Sequence, residues 1–529
     1  MKKFLLFFHT IRYLKLSQIY WRIFYLIRNR FFVIKLHNET FKINQNINKH
    51  IDFMKVTTTY FSNNKFSFLN IEMDFLGWEN KNAQTLWLYN LHYFEFILQS
   101  NIDGNYWIDK WIKENPPLKT IGWQPYPLSL RVINLIKYHY KINELSELQI
   151  ESLNLQVSAL ERQIEYHILG NHLFENGKSL FIAGLFLSRD KSMKTGLKIL
   201  NEQIKEQIQD DGSHFELSPM YHAIILEGLL DIINFSRKFS FNYPGWWNTK
   251  IESMLSFYRG CLHKDNKISY FNDSVLGISK DSKDIFEYAK CLGFEVDKID
   301  PKNYYINSGL VRFENNDRLI LIDGGPIGPD YIPGHAHADN LSFELSNNKT
   351  RIIVNSGIST YERNLRRVEE RSTVSHNTVV IDGKNQSQVW ASFRVGKRVY
   401  PKNIRVEKNS RFELFRGSYT GGSHHREIKF LDEKVILRDT LKNSNEKGES
   451  YLHFHPNVLP TIASSNKISL KLKDGTFICN LIIKSNHFEL LDYKWAKGFN
   501  LLKPSKLVKI KIDKENINEV IFDFNEKKS

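Results

Sequence analysis

Apolar residues change their period near residue 300, and that change constrains the fold more than any other feature of this 529-residue chain. From about residue 84 to 300 they recur every three or four positions, the spacing of one helix face. "LWLYNLHYFEFILQ", "LSLRVINLIKYHYKI", "ENGKSLFIAGLFLS" and "HAIILEGLLDIINFSRKF" show it. Pro, Gly and Asn collect in the connections, as in "ENPPLKTIGWQPYP" and "DDGSHFELSP". From about 303 to 525 the segments become short, β-branched and alternating, among them "RLILIDGG", "RIIVNSG", "NTVVIDG" and "EIKFLDEKVILRDTL". Helices first and strands second imply separately packed domains. The chain is also too long for one ordinary core. The expected class is α+β multidomain, in three parts. A basic amphipathic helix and a mixed segment occupy 1–80, a helical domain 81–300, and an antiparallel β domain 301–529. The boundary is placed in "DKIDPKN", residues 297–303. No fixed period recurs, which excludes a solenoid.

Composition narrows the partners. Hydrophobic residues at 42% and charged residues at 25% describe a globular chain. Aromatics at 13% serve large cores or the flat faces of sugars. A net charge of +15 attracts polyanions: nucleic acid, anionic membrane or acidic polysaccharide. Zinc-finger spacing, a Gly-rich phosphate loop and a dense Lys/Arg block are all missing, so no nucleic acid partner is expected. Cys261, Cys291 and Cys479 are too far apart for a disulfide framework or a CxxC metal site, which fits a reducing compartment.

The start, "MKKFLLFFHTIRYLKLSQIYWRIFYLIRNRFF", is apolar for only a few residues before His9, Arg12 and Lys15 interrupt it. No small-residue cleavage site follows, so no cleavable signal peptide is recognised. The segment is too charged to span a bilayer. It reads as a basic amphipathic helix with Leu5, Phe8, Ile11, Ile19, Ile23 and Ile27 among its apolar positions. Two placements stay open: peripheral contact with an anionic membrane through residues 1–30, or packing on the protein's own body. The expected location is cytoplasmic or peripheral to the inner membrane.

Three constellations carry chemistry. In "GNHLFENGKSL", Asn171 and Glu175 are i,i+4 and His172 and Glu175 i,i+3, so all three share one helix end. An amide and an imidazole there can hold a carboxylate; alternatively Asn171 is only an N-cap. In "DGSHFELSPMYH", Ser218 and Pro219 form a strong helix start and put Tyr221 in the first turn. The helix dipole there is expected to lower the phenol pKa, unless Tyr221 is simply half-buried against a loop. In "PGHAHADNLSFEL", His335, His337 and Asp339 face one side of an extended segment. His376 is a candidate third metal ligand, in competition with His424, His425, His453 and His455.

In chain order, "LWLYNLHYFEF", "WQPYPLSLRVIN", "GNHLFENGKSL", "DGSHFELSPMYH", "GHAHADNLSFEL" and "ERSTVSHNTVVIDG" resemble landmarks of the heparinase II/III family of polysaccharide lyases and its alginate-lyase relatives. The resemblance implies an incomplete α/α toroid followed by an antiparallel β-sandwich, with the active site between them. It implies β-elimination at a uronic acid of an acidic polysaccharide. By the same resemblance Asn171 and His172 neutralise the uronate carboxylate, Tyr221 acts as base, acid or both, His335 is the second proton-transfer group, and Glu175 supports them. Asn90, His92, Tyr93, Trp123 and Arg131, from family-like segments, are candidate substrate contacts. His337 and His376 are implied as ligands of a structural Zn²⁺. Asn355 stands where the family has an aspartate, and a neutral amide is a poorer zinc ligand. Asp339 or a hydrogen-bond cluster can replace it. Gly334 is expected to give the loop the freedom that sends His335 and His337 to different roles.

The expected function is a polysaccharide lyase in surface-polysaccharide metabolism (capsule, O-antigen or exopolysaccharide). The alternatives are a uronate C5-epimerase using the same proton abstraction and a non-catalytic glycan-binding assembly protein.

Overall fold

The computed structural model describes every residue except 1, 37–38, 46–51, 55–59, 63, 408–410, 418–421, 443–446, 485–486, 513–516 and 526–529. Two helices come first, α1 (Lys2–Ile11) and α2 (Leu16–Phe31). A small antiparallel sheet follows, Phe61–Ser62, Lys65–Phe68 and Ile71–Asp74. The helical half then runs through α3 (Thr85–Tyr93), α4 (Gly104–Glu114), α5 (Pro125–Lys141), α6 (Glu147–Glu161), α7 (Gly170–Phe186), α8 (Asp190–Gln207), α9 (Pro219–Lys238), α10 (Trp246–Gly260) and α11 (Ser282–Cys291).

Local chemistry explains where these helices start. Asp103 caps α4 by accepting from Tyr106 N, and Ser146 and Gln149 form a capping box on α6. Ser218 Oγ accepts from Tyr221 N at 3.2 Å with Pro219 in the first turn of α9, the start that the Ser-Pro pair predicts. "LWLYNLHYFEFILQ" is not one helix. Phe94 adopts φ 64°, which ends α3 and opens a 3₁₀ turn, Glu95–Leu98. Helix α7 is buried on almost every side and packs against α5, α8 and α9, which makes it the axis of the helical half.

From Leu310 onward the regular structure of the described residues is mainly sheet. An eight-stranded antiparallel sheet runs, in spatial order, Pro401–Glu407, Arg411–Gly417, Ser423–Phe430, Lys434–Lys442, Ile517–Asp523, Phe477–Ile483, Lys467–Leu472 and Val458–Ser464. Two four-stranded sheets lie against it. One is Leu310–Glu314, Arg318–Asp323, Phe343–Asn347 and Thr350–Ile353. The other is Phe488–Gly498, Leu501–Ile512, Gly448–His453 and Val379–Ile381. Val311, Ile322, Phe343, Ile428, Leu481 and Phe522 from opposing layers share one core, so the half is a sandwich. A short helix, α12 (Leu365–Glu370), stands in the loops that face the helical half. Val354, Ile358, Trp495 and Phe499 pass from the sandwich into the helical core, so the two halves are packed together.

Candidate active site

A cleft of about 1190 Å³ lies between the halves, and Asn171, His172, Glu175, Tyr221 and His335 all line it. Helix α7 supplies the first three from its first two turns. Asn171 is not an N-cap: that position is Leu169, at φ 70° and ψ −158°. This is backbone space that only glycine occupies freely, at a cost of about 1–3 kcal/mol. Leu217 (φ 55°) precedes α9, and Leu341 (φ 66°) follows the His335–Asp339 segment. Each of the three chemical segments is therefore flanked by a leucine with left-handed φ. Gly334 has no positive φ, and a Cβ there would only touch Phe393 at 3.9 Å, so the freedom expected of it is not used.

His172 Nδ1 meets the Glu165 carboxylate at 3.0 Å, and the Tyr126 ring lies tilted against its own at a centroid distance of 4.4 Å. Burial favours the neutral imidazole, but Glu165, Glu216 and Glu175 outweigh it and raise its pKa above 6.5. Beside it, Glu175 pairs with Lys178 at 2.7 Å. Asn171 and His172 thus present an amide and an imidazole, its charged form favoured by the surrounding carboxylates, to the cleft.

Across the cleft, His335 stacks on Tyr221 with ring centroids 3.8 Å apart. Its Nδ1 lies 2.8 Å from Asp273 Oδ2. Burial alone would raise the Asp273 carboxyl; Arg367 and the two histidines outweigh it and hold it well below the usual range. Arg367 binds both carboxylate oxygens, one at 2.7 Å. An ionised carboxylate can only accept, so His335 Nδ1 carries a proton, and in the neutral ring the lone pair is on Nε2. Its Nε2 lies 3.6 Å from Glu216 Oε2.

Tyr221 departs from expectation. Its hydroxyl lies 3.1 Å from that of Tyr361, and its pKa is raised well above 10, not lowered. Burial is the main cause, and Tyr361, Asp273 and Glu216 add to it, overriding the helix N-terminus. In the protein alone Tyr221 is a neutral phenol, fit to give a proton.

Of the other anticipated contacts, Asn90 and Tyr93 line the cleft. His92, Trp123 and Arg131 do not; all three are buried in the helical core. His92 lies between Trp78 O and Trp111 Nε1, at 3.1 and 3.0 Å. Trp123 Nε1 donates to Asn115 O, and Arg131 donates to Gln156, His92 O and Gly122 O. Their polar atoms are spent on the fold, because their side chains project from α3, α5 and the intervening turn away from the cleft.

The second histidine turns the other way. His337 Nε2 lies 2.7 Å from Asp273 Oδ1, so its proton is there and Nδ1 carries a lone pair. His376 Nδ1 donates to Ser372 O at 2.8 Å, which leaves a lone pair on Nε2. These two lone pairs face each other at 3.0 Å. Burial pulls the His337 pKa down to about 4, so no proton relieves the contact at neutral pH. A cation between them would relieve it. Asp339 completes a buried trio whose ligand atoms all lie within 4.8 Å of one another. The Asn355 amide is engaged in hydrogen bonds of its own. Its Oδ1 accepts from the Asn377 backbone and side-chain N–H groups at 3.1 and 3.2 Å, and its Nδ2 donates to Ser342. The donor set His337–Asp339–His376 fits Zn²⁺, with Asp273 orienting His337 from behind.

Asp273, Arg367, Tyr361, Tyr126 and Glu216 did not stand out as site residues in the sequence. Asp273 meets His335, His337 and Arg367 across 62, 64 and 94 residues, and no local spacing announces it. Glu216 lies within "DGSHFELSPMYH", where its neighbours Ser218 and Tyr221 carry the visible signal.

The chain matches the family model described as heparinase II/III N-terminus over residues 24–292, and that of heparinase II/III-like, C-terminal, over 301–521. A protein named heparin-sulfate lyase from Bacteroides stercoris is 25% identical over 357 residues, covering 61% of this chain and 50% of that protein. One of the same name from Pedobacter heparinus is 24% identical over 304 residues, covering 51% and 43%. The chain thus spans about half the length of these curated relatives. Among solved structures, heparinase III superposes with a TM-score of 0.72 at 17% identity, covering 98% of this chain and 93% of that one. Heparan sulfate lyase HepC from Pedobacter heparinus gives 0.60 at 18%, covering 88% and 82%. The helical half and the sandwich correspond to an α/α toroid and a β-sandwich in that fold. With both family models placed along it, the chain belongs to the heparinase II/III family.

Proposed function

We propose that the protein is a polysaccharide lyase that cleaves a uronic-acid-containing acidic polysaccharide by β-elimination. The carrying observation is His335, held by Asp273 against the phenol of Tyr221 and facing Asn171 and His172 across one cleft. The proton at C5 of a uronate is weakly acidic while the neighbouring carboxylate is charged. Asn171 and the His172 imidazolium bind and neutralise that carboxylate. His335 Nε2 then takes the C5 proton. The electron pair closes the C4–C5 double bond, and the C4–O bond breaks. Tyr221 gives its proton to the leaving glycosidic oxygen, and solvent exchange restores both groups.

The names of the relatives make heparan sulfate the first polymer to test. A capsule, O-antigen or exopolysaccharide setting is part of the same proposal, so surface polymers belong in the panel. Turnover is expected to raise the ultraviolet absorbance of an unsaturated uronate. Tyr221→Phe and His335→Ala are each expected to lower kcat by about 10²–10⁴. Full turnover in either variant overturns the assignment. Solvent deuterium entering the uronate with no unsaturated product assigns C5-epimerase chemistry instead.

We propose in addition that His337, Asp339 and His376 hold Zn²⁺, whose charge would tie together the loops that present His335 and Arg367. Elemental analysis should find about one equivalent of metal, lost in Asp339→Asn and retained in Asn355→Ala. Retention in Asp339→Asn overturns this ligand set.

A further inference from the structure

Residues 1–36 hold eight Lys and Arg and no Asp or Glu, about half of the chain's net charge of +15. Helix α2 lies on the body by a polar and aromatic stripe. Gln18 Nε2 donates to Tyr331 O, Tyr25 to Ile164 O and Arg28 to Arg162 O, and Trp21 stacks on Tyr166. Its aliphatic residues point the other way. Leu16 is 84% exposed, Leu26 74% and Phe31 74%, and Ile19, Ile23 and Ile27 are exposed beside them. In α1, Phe4 is 73% exposed, with Leu5, Phe7 and Phe8 also outward. A helix packed on its own protein in water turns its apolar face inward. Here the face is inverted, and it leaves an apolar surface studded with positive charge of the kind that marks an interaction site.

We propose that the outer face of α1 and α2 docks on an anionic lipid surface. The occupant follows from charge. A second copy would bring the same cationic face against this one, whereas an anionic bilayer neutralises the Lys and Arg while its acyl boundary takes Leu16, Leu26 and Phe31. Neither helix is long and apolar enough to cross a membrane, so the contact is interfacial. The helices also fix what the membrane would face. Thr10 accepts from Trp390 Nε1, next to the cleft residues Ala391 and Phe393, and the Gln18 partner Tyr331 precedes the cleft residue Ile332. Docking would therefore set one rim of the cleft against the lipid surface. The proposal is independent of the chemistry in the cleft.

The full chain should sediment with phosphatidylcholine vesicles containing phosphatidylglycerol and not with pure phosphatidylcholine, and less at high salt. Removing one exposed charge, Arg30→Gln, should weaken partitioning about fivefold. Leu26→Ser with Phe31→Ser should abolish it. Neither variant touches the docked stripe, and unchanged melting checks the fold. No sedimentation with either vesicle overturns the proposal, as does undiminished binding by both variants. So does a wild-type dimer that the double variant splits into monomers, because it assigns the face to a second copy.

Discussion

Two carboxylates face His335, and their surroundings differ. Asp273 has a bidentate arginine and two imidazoles and stays ionised. Glu216 is 2% exposed, and neither of its carboxylate oxygens closes a well-formed hydrogen bond. Burial raises its pKa above 4.5, with His335 and His172 only partly opposing. The sign follows from linkage. The native state keeps a proton on Glu216 that the unfolded chain has lost, so this residue's contribution to stability falls as pH rises from 4.5 through the raised value. Glu216→Gln keeps the shape and removes the titration. Its melting temperature should vary less between acid and neutral pH, and its stability at neutral pH should exceed that of wild type. Melting curves across pH check this; an unchanged pH profile would show that Glu216 is not the buried titrating group. At this scale the sequence shows residue types with local partners, such as the Asn171–His172–Glu175 cluster, all of which line the cleft. It does not show Asp273, whose meaning comes from partners brought together only by the fold. Nor does it show that Arg131 and His92 are spent inside the helical core.

The precision of the Asn171–His172 end depends on how α7 is held. Helix α8 crosses it at a seam of small residues. A Cβ on Gly196 would lie 2.6 Å from Gly177 O and close on Phe181 N, and one on Gly177 would lie 2.7 Å from Ile199 Cγ2. Alanine at Gly196 would gain about 1 kcal/mol in helix propensity. It would force the backbones apart, at about 1–3 kcal/mol or more. The clash is with backbone, which cannot rotate aside, so the net effect of Gly196→Ala should be destabilising. A lower melting temperature with a raised KM is expected, because the first turns of α7 carry the carboxylate-binding pair. A melting temperature at or above wild type would mean that the seam is looser than the structure has it. Helical periodicity and the Ser218–Pro219 start are legible because they are local. The break at Phe94 and the strained Leu169 are not, since neither residue type prefers that backbone and only tertiary packing imposes it.

The order of the halves is plain from the change of period, but their docking is not, because the residues that join them are far apart in the chain and no local spacing pairs them. The Asp211 carboxylate accepts from Asn307 N and Ser308 N at 2.8 and 2.9 Å. His263 and Glu344, both fully buried, meet at 2.8 Å. Arg351 spans to Asp265 with two bonds, at 2.9 and 3.1 Å, and Tyr270 stacks on Trp495 at 5.4 Å. The Asp273 cluster adds Arg367, His335 and His337 from the sandwich side. Breaking a buried pair of this kind by removing one partner costs about 3–5 kcal/mol. Neither half can therefore unfold without stranding several buried charges of the other, and the two cores should melt together. Calorimetry is expected to show one transition whose calorimetric and van't Hoff enthalpies agree. Arg351→Met, which removes the buried partner of the half-buried Asp265 while leaving both apolar cores intact, should lower the melting temperature and broaden or split the transition. Two resolved transitions in the wild type would mean that the seam is weaker than either core, and the cleft would then be a hinge between independent halves.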